Sequence, residues 1–325
     1  MQLNEQQTKW AKETLERVSH KLEKVSERSK DKIPYTTVDG IHDDWSGREK
    51  IGWWTNGFWG GMMWQMYALT GKEFYKEIAQ DNEKKLDAVL MDYDKLDHDN
   101  GFKWLPTAVA DYRMTGNKAS RNRGLLAAAN LAGRYNSAGR FIRAWNNRDG
   151  EHDRTGWAII DCMMNLPLLY WASEELKDPR FAQIAVSHAN TARDCFVRGD
   201  GSVNHIVSFD PAGGGMIESF GGQGYAVGSS WTRGQSWGLY GFTLSYLHTG
   251  DASFLETAER IAGYFMANIP ESGLIPVDFR QPADVSLEDS TAAYHDKEHE
   301  FSIIYGDYYF LEAMMKLAGR ELFIW

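Results

Sequence analysis

The sequence predicts an all-α fold in which antiparallel helix pairs form an α/α toroid. Apolar residues recur with helical periodicity along most of the chain, and strand-like sequence is limited to short pieces such as SVNHIVSFD. The segments ALTGKEFYKEIA, RMTGNKASRNRGLLAA and YLHTGDASFLETAERIA each hold a Thr-Gly helix stop and then a polar helix start. An irregular all-α domain has the same periodicity and remains the alternative. The toroid is favoured because most tryptophans lie in connections, where ligands bind.

The predicted helices follow one another along the chain. A first long helix carries an apolar stripe of Trp10, Leu15, Val18, Leu22 and Val25, with charged residues opposite. Further helices are expected at 57–69, 73–91, 104–115, 118–134, 155–175, 180–197, 229–249, 252–268 and 302–319. Because no linker-like or low-complexity segment interrupts them, we expect a single domain over residues 1–325.

Composition and charge exclude several classes of partner. Of 325 residues, 43% are hydrophobic, and the net charge of −10 disfavours nucleic acid, whose phosphates need a basic surface. No segment reaches the roughly 18 uninterrupted apolar residues of a membrane span, and the polar N-terminus lacks the apolar core of a signal peptide. Cys162 and Cys195 lack metal-ligand spacing, which indicates reduced core thiols. We therefore expect a cytoplasmic monomer or homodimer without a nucleic-acid or membrane partner.

An unusual block, GREKIGWWTNGFWGGMMWQMY, holds four tryptophans and five glycines in 21 residues. It fits either a tightly packed helix start or an aromatic platform for a sugar. We expect Trp53, Trp59 and Trp64 to pack around a helix that begins near Gly57, where glycine permits a close approach.

Two acidic positions are candidates for acid–base chemistry. In LDHDNGF, Asp97, His98 and Asp99 precede a Gly-Phe turn. The cluster is a weak indication of a metal site; alternatively, an aspartate caps the turn. Asp161 lies inside the apolar segment GWAIIDCMMNLPLLYWASEE. Desolvation there would raise its pKa and make it a general acid; alternatively, it fixes a neighbouring helix end. Two carboxylates in a tryptophan-rich setting suit acid–base work on a sugar.

Polar and aromatic side chains elsewhere could bind such a substrate. In GGQGYAVGSSWTRGQSWGLYGF, Arg233 can hold a carboxylate and Gln223 a hydroxyl, and a helix would place Trp237 on the face of Arg233. Trp145 in FIRAWN and His205 in NHIVSFDP could stack on a sugar ring, although either alone is more often structural. The sequence contains neither a phosphate-binding loop nor a G-x-S-x-G serine elbow. We therefore do not expect nucleotide binding or a serine hydrolase mechanism.

Six blocks of this sequence resemble one family of enzymes. WWTNGFWGGMMWQMY, HDNGF, IIDCMMNLPLLYWA, NHIVSFDP, SSWTRGQSWGLYGF and IIYGDYYFLEAMMKL together resemble the unsaturated glucuronyl hydrolases of glycoside hydrolase family 88. They stand in the order of that family and cover the chain nearly end to end. The resemblance implies an (α/α)6 barrel, which agrees with the hairpins predicted above.

The resemblance also implies a reaction. The substrate is an oligosaccharide left by a polysaccharide lyase, of glycosaminoglycan or similar type, with a 4,5-unsaturated glucuronic acid at its non-reducing end. A carboxylic acid protonates C4, water adds at C5, and the hydrated sugar opens and releases its aglycone, without a metal or organic cofactor. Asp161 aligns with the general acid/base. Asp99 aligns with the second essential carboxylate, which we expect to stay ionised.

Substrate contacts follow from the same resemblance. Trp54 is expected to be the stacking platform, with Asn56 as a hydroxyl partner beside it and Trp145 as a second wall. The other positions expected to line the unsaturated uronate subsite are His98, His205, Gln223, Arg233 and Trp237.

The sequence departs from the family near its C-terminus. A full helix pair is expected after EDSTAAYH, but DKEHEFSIIYGDYYF follows almost at once, so that about 40 residues of a hairpin are missing. We therefore predict ten helices and a stub at 289–294, in a ring that is open or closed by a shortened element. The alternative functions are an unsaturated rhamnogalacturonyl hydrolase and a non-catalytic carbohydrate-binding relative. A sugar epimerase ranks lowest, because His205 and His248 have no partner motif.

Overall fold

The secondary structure comes from a computed structural model that describes residues 3–147, 152–282, 291–297, 301–320 and 322–325. The helices are α1 (Glu5–Ser29), α2 (Phe58–Thr70), α3 (Glu73–Lys85), α4 (Asp87–Leu90), α5 (Asn100–Trp104), α6 (Ala110–Thr115), α7 (Lys118–Gly133), α8 (Leu166–Leu176), α9 (Arg180–Cys195), α10 (Thr232–Thr249), α11 (Ala252–Ala267) and α12 (Ile304–Leu317). A π-helical turn, Leu105–Val109, joins α5 to α6, and 3-10 helices lie at Trp54–Gly57, Tyr93–Lys95 and Ile160–Met164. The strands are β1 (Thr37–Val38), β2 (Ile41–His42), β3 (Tyr135–Asn136), β4 (Phe141–Ile142), β5 (Trp157–Ile159), β6 (Ile206–Phe209) and β7 (Met216–Phe220).

The predicted Thr-Gly turns separate helix pairs and share one geometry. Thr70, Thr115 and Thr249 end α2, α6 and α10, immediately before the partner helices α3, α7 and α11. Each threonine hydroxyl donates to the carbonyl four residues earlier, at 2.7–2.8 Å, and accepts the N–H two residues later, at 3.2–3.3 Å. The following glycine has a φ between 68° and 74°, which strains other residues. The predicted all-α fold of helix hairpins is confirmed.

The chain divides into two compact units, each described by itself. The first comprises Met1–Lys95, Phe102–Gly124 and Ser302–Trp325, and the second comprises Leu96–Gly101 and Leu125–Phe301. The expectation of a single domain stays a prediction.

The tryptophan-rich block forms the start of α2 in the first unit. This helix is apolar on all sides, and Trp59 and Trp64 are completely buried, as predicted. Trp53 is 41% exposed, and its ring lies against those of Tyr35 and Trp45, with centroid distances of 6.0 and 5.4 Å, so its predicted packing around α2 is not confirmed. The close approach expected near Gly57 is confirmed, because a β-carbon there would lie 2.2 Å from the carbonyl oxygen of Phe102.

Helix α1 is amphipathic, with one exception to the predicted stripe. Leu15, Leu22 and Val25 are buried, whereas Trp10 is 51% exposed and its place in the stripe is wrong. The apolar face runs instead through the buried Ala11, which lies four residues before Leu15. Over the described part of the chain, no helix is both long and apolar enough to cross a membrane.

The second unit contains a three-stranded antiparallel sheet in the order β5–β6–β7. The strand predicted in SVNHIVSFD is confirmed as β6, which pairs Ile206 with Ile159 and Ser208 with Trp157. The predicted helix at 155–175 is therefore wrong in its first part, where β5 and a 3-10 helix precede α8. Aromatic and β-branched residues there pair across the sheet, and this tertiary pairing outweighs the helical periodicity.

Other predicted boundaries differ from the structure by a few residues. The helix expected from 229 begins at Thr232, because Trp231 forms an isolated β-bridge with Asp278. Of the predicted stub at 289–294, residues 289–290 lie outside the described residues and residues 291–294 are not helical. The described positions between α11 and α12 contain no further helix, which agrees with a shortened hairpin.

A buried polar network joins α3 to the start of α7 in the first unit. Glu83, which is 1% exposed, accepts a hydrogen bond from Arg123 at 3.0 Å. Burial raises the pKa of Glu83 to about 7, and the nearby Asp111 carboxylate adds to the rise, while Ser120 and Arg123 oppose it. The folded protein thus favours the protonated form of Glu83.

This raised pKa predicts a pH dependence of stability. The ordinary pKa of a glutamate is 4.5. The stabilisation that the folded protein gains from protonated Glu83 is therefore complete below pH 4.5 and is lost as the pH rises to about 7. Glu83→Gln resembles the protonated form at every pH. We therefore expect its free energy of unfolding to rise by roughly 3 kcal/mol relative to that of the wild type over that pH range. Urea unfolding at several pH values measures the gain. Glu77→Gln, at an exposed position of the same helix, is the matched control. Parallel pH profiles of the two variants would contradict the assignment.

Candidate active site

Asp161 lies in the second unit, where β5 passes into the 3-10 helix Ile160–Met164. The residue is 7% exposed. The N–H of Ile160 donates to the carbonyl of His205 at 3.1 Å, which extends the β5–β6 pairing by one residue. The register of the sheet therefore places the Asp161 carboxylate beside the residue that precedes β6.

His205 faces Asp161 across this strand pair. Its Nε2 lies 3.6 Å from Asp161 Oδ2, a distance suited to an ion pair but longer than an ordinary hydrogen bond. Its Nδ1 accepts the N–H of Gln223 at 3.0 Å. The ring is 5% exposed and its centroid lies 4.3 Å from that of Trp231. Backbone and aromatic contacts together fix the imidazole next to the carboxylate.

The pKa of Asp161 is lowered from its ordinary value of 3.8, which corrects the raised pKa predicted from the sequence. Burial acts in the predicted direction, because desolvation penalises the charged form. Burial is the largest single effect, but the contacts of His205 together with the charges of Arg233 and His98 outweigh it, because they stabilise the ionised carboxylate. The apolar local sequence indicated the burial, but the compensating groups lie far away in the chain.

Arg233 stands in the first turn of α10, close to both His205 and Gln223. Its Nη2 donates to Gln223 Oε1 at 2.9 Å and to the carbonyl of Ala292 at 3.1 Å. The guanidinium carbon lies 4.4 Å from the centroid of the Trp231 ring. Trp231 therefore contacts both His205 and Arg233, the two side chains that act most strongly on Asp161.

Asp99 is linked to the Asp161 turn by the side chain of Asn165. Asn165 Nδ2 donates to Asp99 Oδ1 at 3.3 Å and to the carbonyl of Asp161 at 3.1 Å. His98 Nε2 lies 3.3 Å from the same Asp99 oxygen, and the His98 side chain is completely buried. The two carboxylates singled out in the sequence thus belong to one cluster.

Trp145 stands beside this cluster as a half-buried aromatic side chain. Its ring centroid lies 6.3 Å from that of His98, in an edge-to-face arrangement. Arg134, which is 9% exposed, donates to the carbonyls of Leu96 and Ala144 and so ties the segment before His98 to the one that carries Trp145. A buried arginine outside the predicted set thus positions two predicted residues.

Trp237 follows Arg233 by one turn of α10, as the predicted helix implied. It is 4% exposed, so most of its ring packs inside the second unit. Most of the predicted contacts, namely His98, Trp145, His205, Gln223, Arg233 and Trp237, lie in the second unit with Asp99 and Asp161.

Trp54 and Asn56 lie in the first unit. The Trp54 ring is half-buried, and its centroid lies 5.2 Å from that of Phe102. Asn56 is completely buried, and its Nδ2 donates to the carbonyls of Lys50 and Ile51 at 3.0 and 2.9 Å. Asn56 therefore fixes the loop before α2 and has no exposed surface for a sugar hydroxyl, so its predicted contact lacks support.

Three residues of this region were missed by the sequence reasoning. Asn165 lies four residues after Asp161, a spacing that was an available signal. Trp231 stands in the block SSWTRGQSW, two residues before Arg233. Asp278 is completely buried and accepts backbone N–H groups of the loop before α10, from partners 48 and 53 positions away. No local pattern could indicate such distant partners.

Asp97 and the two cysteines lie outside this cluster, and their contacts indicate structural roles. Asp97 Oδ1 accepts the N–H of Asp99 at 3.0 Å, which confirms the turn cap considered for this motif. Among the residues that the structure covers, no group of three or more His, Cys, Asp or Glu side chains is placed to hold a metal ion. Cys162 is buried and Cys195 half-buried; both are free thiols, and burial raises the pKa of each.

The chain is similar to curated proteins of one activity class. An unsaturated glucuronyl hydrolase from Bacillus sp. strain GL1 is 40% identical over 242 residues, which cover 74% of this chain and 64% of that protein. An unsaturated chondroitin disaccharide hydrolase from Streptococcus pneumoniae is 34% identical over 286 residues, which cover 86% of this chain and 70% of that protein. The matched part thus spans about two thirds of the length of these relatives. No family model matches the chain.

Solved structures share its fold. The crystal structure of the Bacillus sp. GL1 unsaturated glucuronyl hydrolase has a TM-score of 0.80 and 31% identity, with 96% of both chains covered. A second structure, of this type of enzyme with dGlcA-Glc-Rha-Glc, has a TM-score of 0.81 and 30% identity and covers 94% of this chain and 96% of that one. These likenesses confirm the predicted fold class.

Sequence and structure agree on the family. The Streptococcus relative exceeds 30% identity over most of its length, and the Bacillus structure matches nearly the whole chain. The chain belongs to the unsaturated glucuronyl hydrolases of glycoside hydrolase family 88.

Proposed function

We propose that the protein removes a 4,5-unsaturated glucuronic acid from the non-reducing end of lyase-generated, glycosaminoglycan-type oligosaccharides. The observation that carries the proposal is the buried cluster in which Asn165 links Asp99 to the Asp161 turn and His205 faces the Asp161 carboxylate. The names of the relatives and the dGlcA-Glc-Rha-Glc bound to one of them support the substrate class.

The proposed reaction is hydration of an enol ether. Protonated Asp161 gives its proton to C4, and positive charge develops at C5 and the ring oxygen. Water adds its oxygen to C5 and returns one proton to the Asp161 carboxylate, which restores the acid. The resulting hemiketal opens to a keto acid, and the aglycone leaves from C1. Water supplies every atom that is added, so that no oxidant or reductant takes part.

Binding of the substrate can favour the protonated form of Asp161. The pKa of this carboxyl is lowered in the protein, chiefly by His205 and then by Arg233 and His98, against the effect of burial. A uronate carboxylate beside Arg233 would offset part of this positive charge and raise the pKa of Asp161. The first turn of α10 favours an anion, because the positive end of the helix dipole and Arg233 meet there. Binding and acid formation are thus coupled.

Asp99 has a different role in this proposal. Asn165 and His98 both contact its Oδ1, an arrangement that suits an ionised carboxylate. Ionised Asp99 would stabilise the positive charge that develops on the sugar. Trp145 is the proposed aromatic platform, because an indole face packs well on the C–H groups of a pyranose. The platform role of Trp54, which lies in the first unit, stays a prediction.

We also propose a cytoplasmic location. The two free thiols support it, because a reducing compartment keeps cysteines unpaired. In this proposal the substrate reaches the enzyme after import of the lyase products.

The acid role of Asp161 predicts a sharp loss of turnover in one variant. Asp161→Asn keeps the size of the side chain but cannot donate the proton, so we expect it to bind an unsaturated disaccharide without bleaching its ultraviolet absorbance. Calorimetry measures the binding, and absorbance measures the turnover. Asp194→Asn, on the exposed side of α9, is the control and should keep wild-type turnover. Bleaching by Asp161→Asn would remove Asp161 from the acid role.

A panel of unsaturated disaccharides on the wild type separates the alternative functions. Sulfated and unsulfated glycosaminoglycan disaccharides should be bleached, whereas an unsaturated galacturonyl-rhamnose should be a poor substrate. The reverse preference would indicate a rhamnogalacturonyl hydrolase. Binding without bleaching of any member would indicate a carbohydrate-binding protein.

The link through Asn165 predicts a second kinetic effect. Asn165→Ala removes the contacts to Asp99 and to the Asp161 carbonyl, so we expect kcat to fall about tenfold, as for the loss of a hydrogen bond to a charged group. Asn268→Ala, which removes a comparable contact to the carbonyl of Tyr264 at the end of α11, should leave kcat unchanged. Equal kcat values in the two variants would show that Asn165 does not position the carboxylates.

A further inference from the structure

The side of His205 that faces away from Asp161 is fixed by a backbone donor. Gln223 N–H donates to His205 Nδ1 at 3.0 Å, so Nδ1 must be unprotonated. In a neutral imidazole the proton then resides on Nε2, the nitrogen that lies 3.6 Å from Asp161 Oδ2. The choice of tautomer is thus made by the loop that carries Gln223.

Gly222 is the residue that lets this loop reach the ring. A β-carbon at position 222 would lie 2.0 Å from His205 Nδ1, 2.8 Å from its Cε1 and 2.9 Å from Cδ1 of Ile206. The ring has little room to yield, because it is 5% exposed and packs against Trp231, and Ile206 is paired on both sides in β6. Any side chain at position 222 must therefore displace the imidazole or the Gln223 N–H.

We infer that Gly222 is a positioning residue for the acid–base site: its missing side chain allows the Gln223 N–H to hold His205 as the Nε2–H tautomer facing Asp161. The inference rests on the proposed function for its catalytic consequence, but the tautomer itself can be measured without turnover. It also gives residue 223 two roles, since the Gln223 side chain accepts from Arg233.

Backbone conformation alone does not account for Gly222. Its φ is +59°, and that of Gly228 in the same loop is +77°, so alanine strains the backbone at either position. A β-carbon at Gly228 meets nothing within 4 Å, whereas one at Gly222 collides with His205. Gly228→Ala is therefore a matched control that shares the strain and lacks the collision.

The direct test is ¹⁵N NMR of imidazole-labelled protein, with the His205 signals assigned by their loss in His205→Gln. We expect the Nε2–H tautomer in the wild type and in Gly228→Ala, and its loss in Gly222→Ala. Protonated Nδ1 in the neutral ring of the wild type would overturn the inference, even if Gly222→Ala fails to fold. The same tautomer in a folded Gly222→Ala would also overturn it.

Kinetics on an unsaturated disaccharide form the second arm. A displaced catalytic-site ring can cost about a hundredfold in rate, so kcat of Gly222→Ala should fall by that order while Gly228→Ala stays near the wild type. Equal kcat values in the two variants would contradict the positioning role. An inactive wild type with the Nε2–H tautomer would instead refute the proposed function and leave the positioning intact.

Discussion

A buried carboxylate needs compensation, and the compensation of Asp161 is the constraint on which the second unit depends. An ionised group removed from water is costly unless charges or hydrogen bonds offset the loss of hydration. The groups that do so come from three parts of the chain: His205 before β6, Arg233 at the start of α10, and His98 before α5. Only the tertiary fold brings them together, so the register of β5 with β6 and the start of α10 decide the chemistry.

A comparison of two buried aspartates in the same unit clarifies what this arrangement achieves. Asp278 is completely buried and accepts the backbone N–H groups of Tyr225, Ser230 and Arg280, so it anchors a loop. Asp161 is 7% exposed and faces a histidine at ion-pair distance. Neutral backbone donors suit a permanent structural anion, whereas a titratable partner and partial exposure suit a group that must exchange protons.

The sequence predicted those features that depend on local patterns. The Thr-Gly helix stops could be found because one threonine hydroxyl and one glycine close each turn within four residues. The strand β5 was missed, since its pairing with β6 joins positions about 50 residues apart in an apolar stretch. The burial of Asp161 was predicted correctly, because it follows from the apolar local sequence. The direction of its pKa shift was not, because His205, Arg233 and His98 are distant in the chain. Gly222 resembled an ordinary loop glycine until His205 was placed beside it.

The most direct test of the account is the titration of Asp161 in the free protein, followed by ¹³C NMR of its carboxyl carbon and assigned with Asp161→Asn. We predict that Asp161 stays ionised as the pH falls to its ordinary pKa of 3.8, and that His205→Gln raises the titration midpoint. A wild-type midpoint above 3.8 would contradict the charge compensation by His205, Arg233 and His98. An unchanged midpoint in His205→Gln would contradict the leading role of His205.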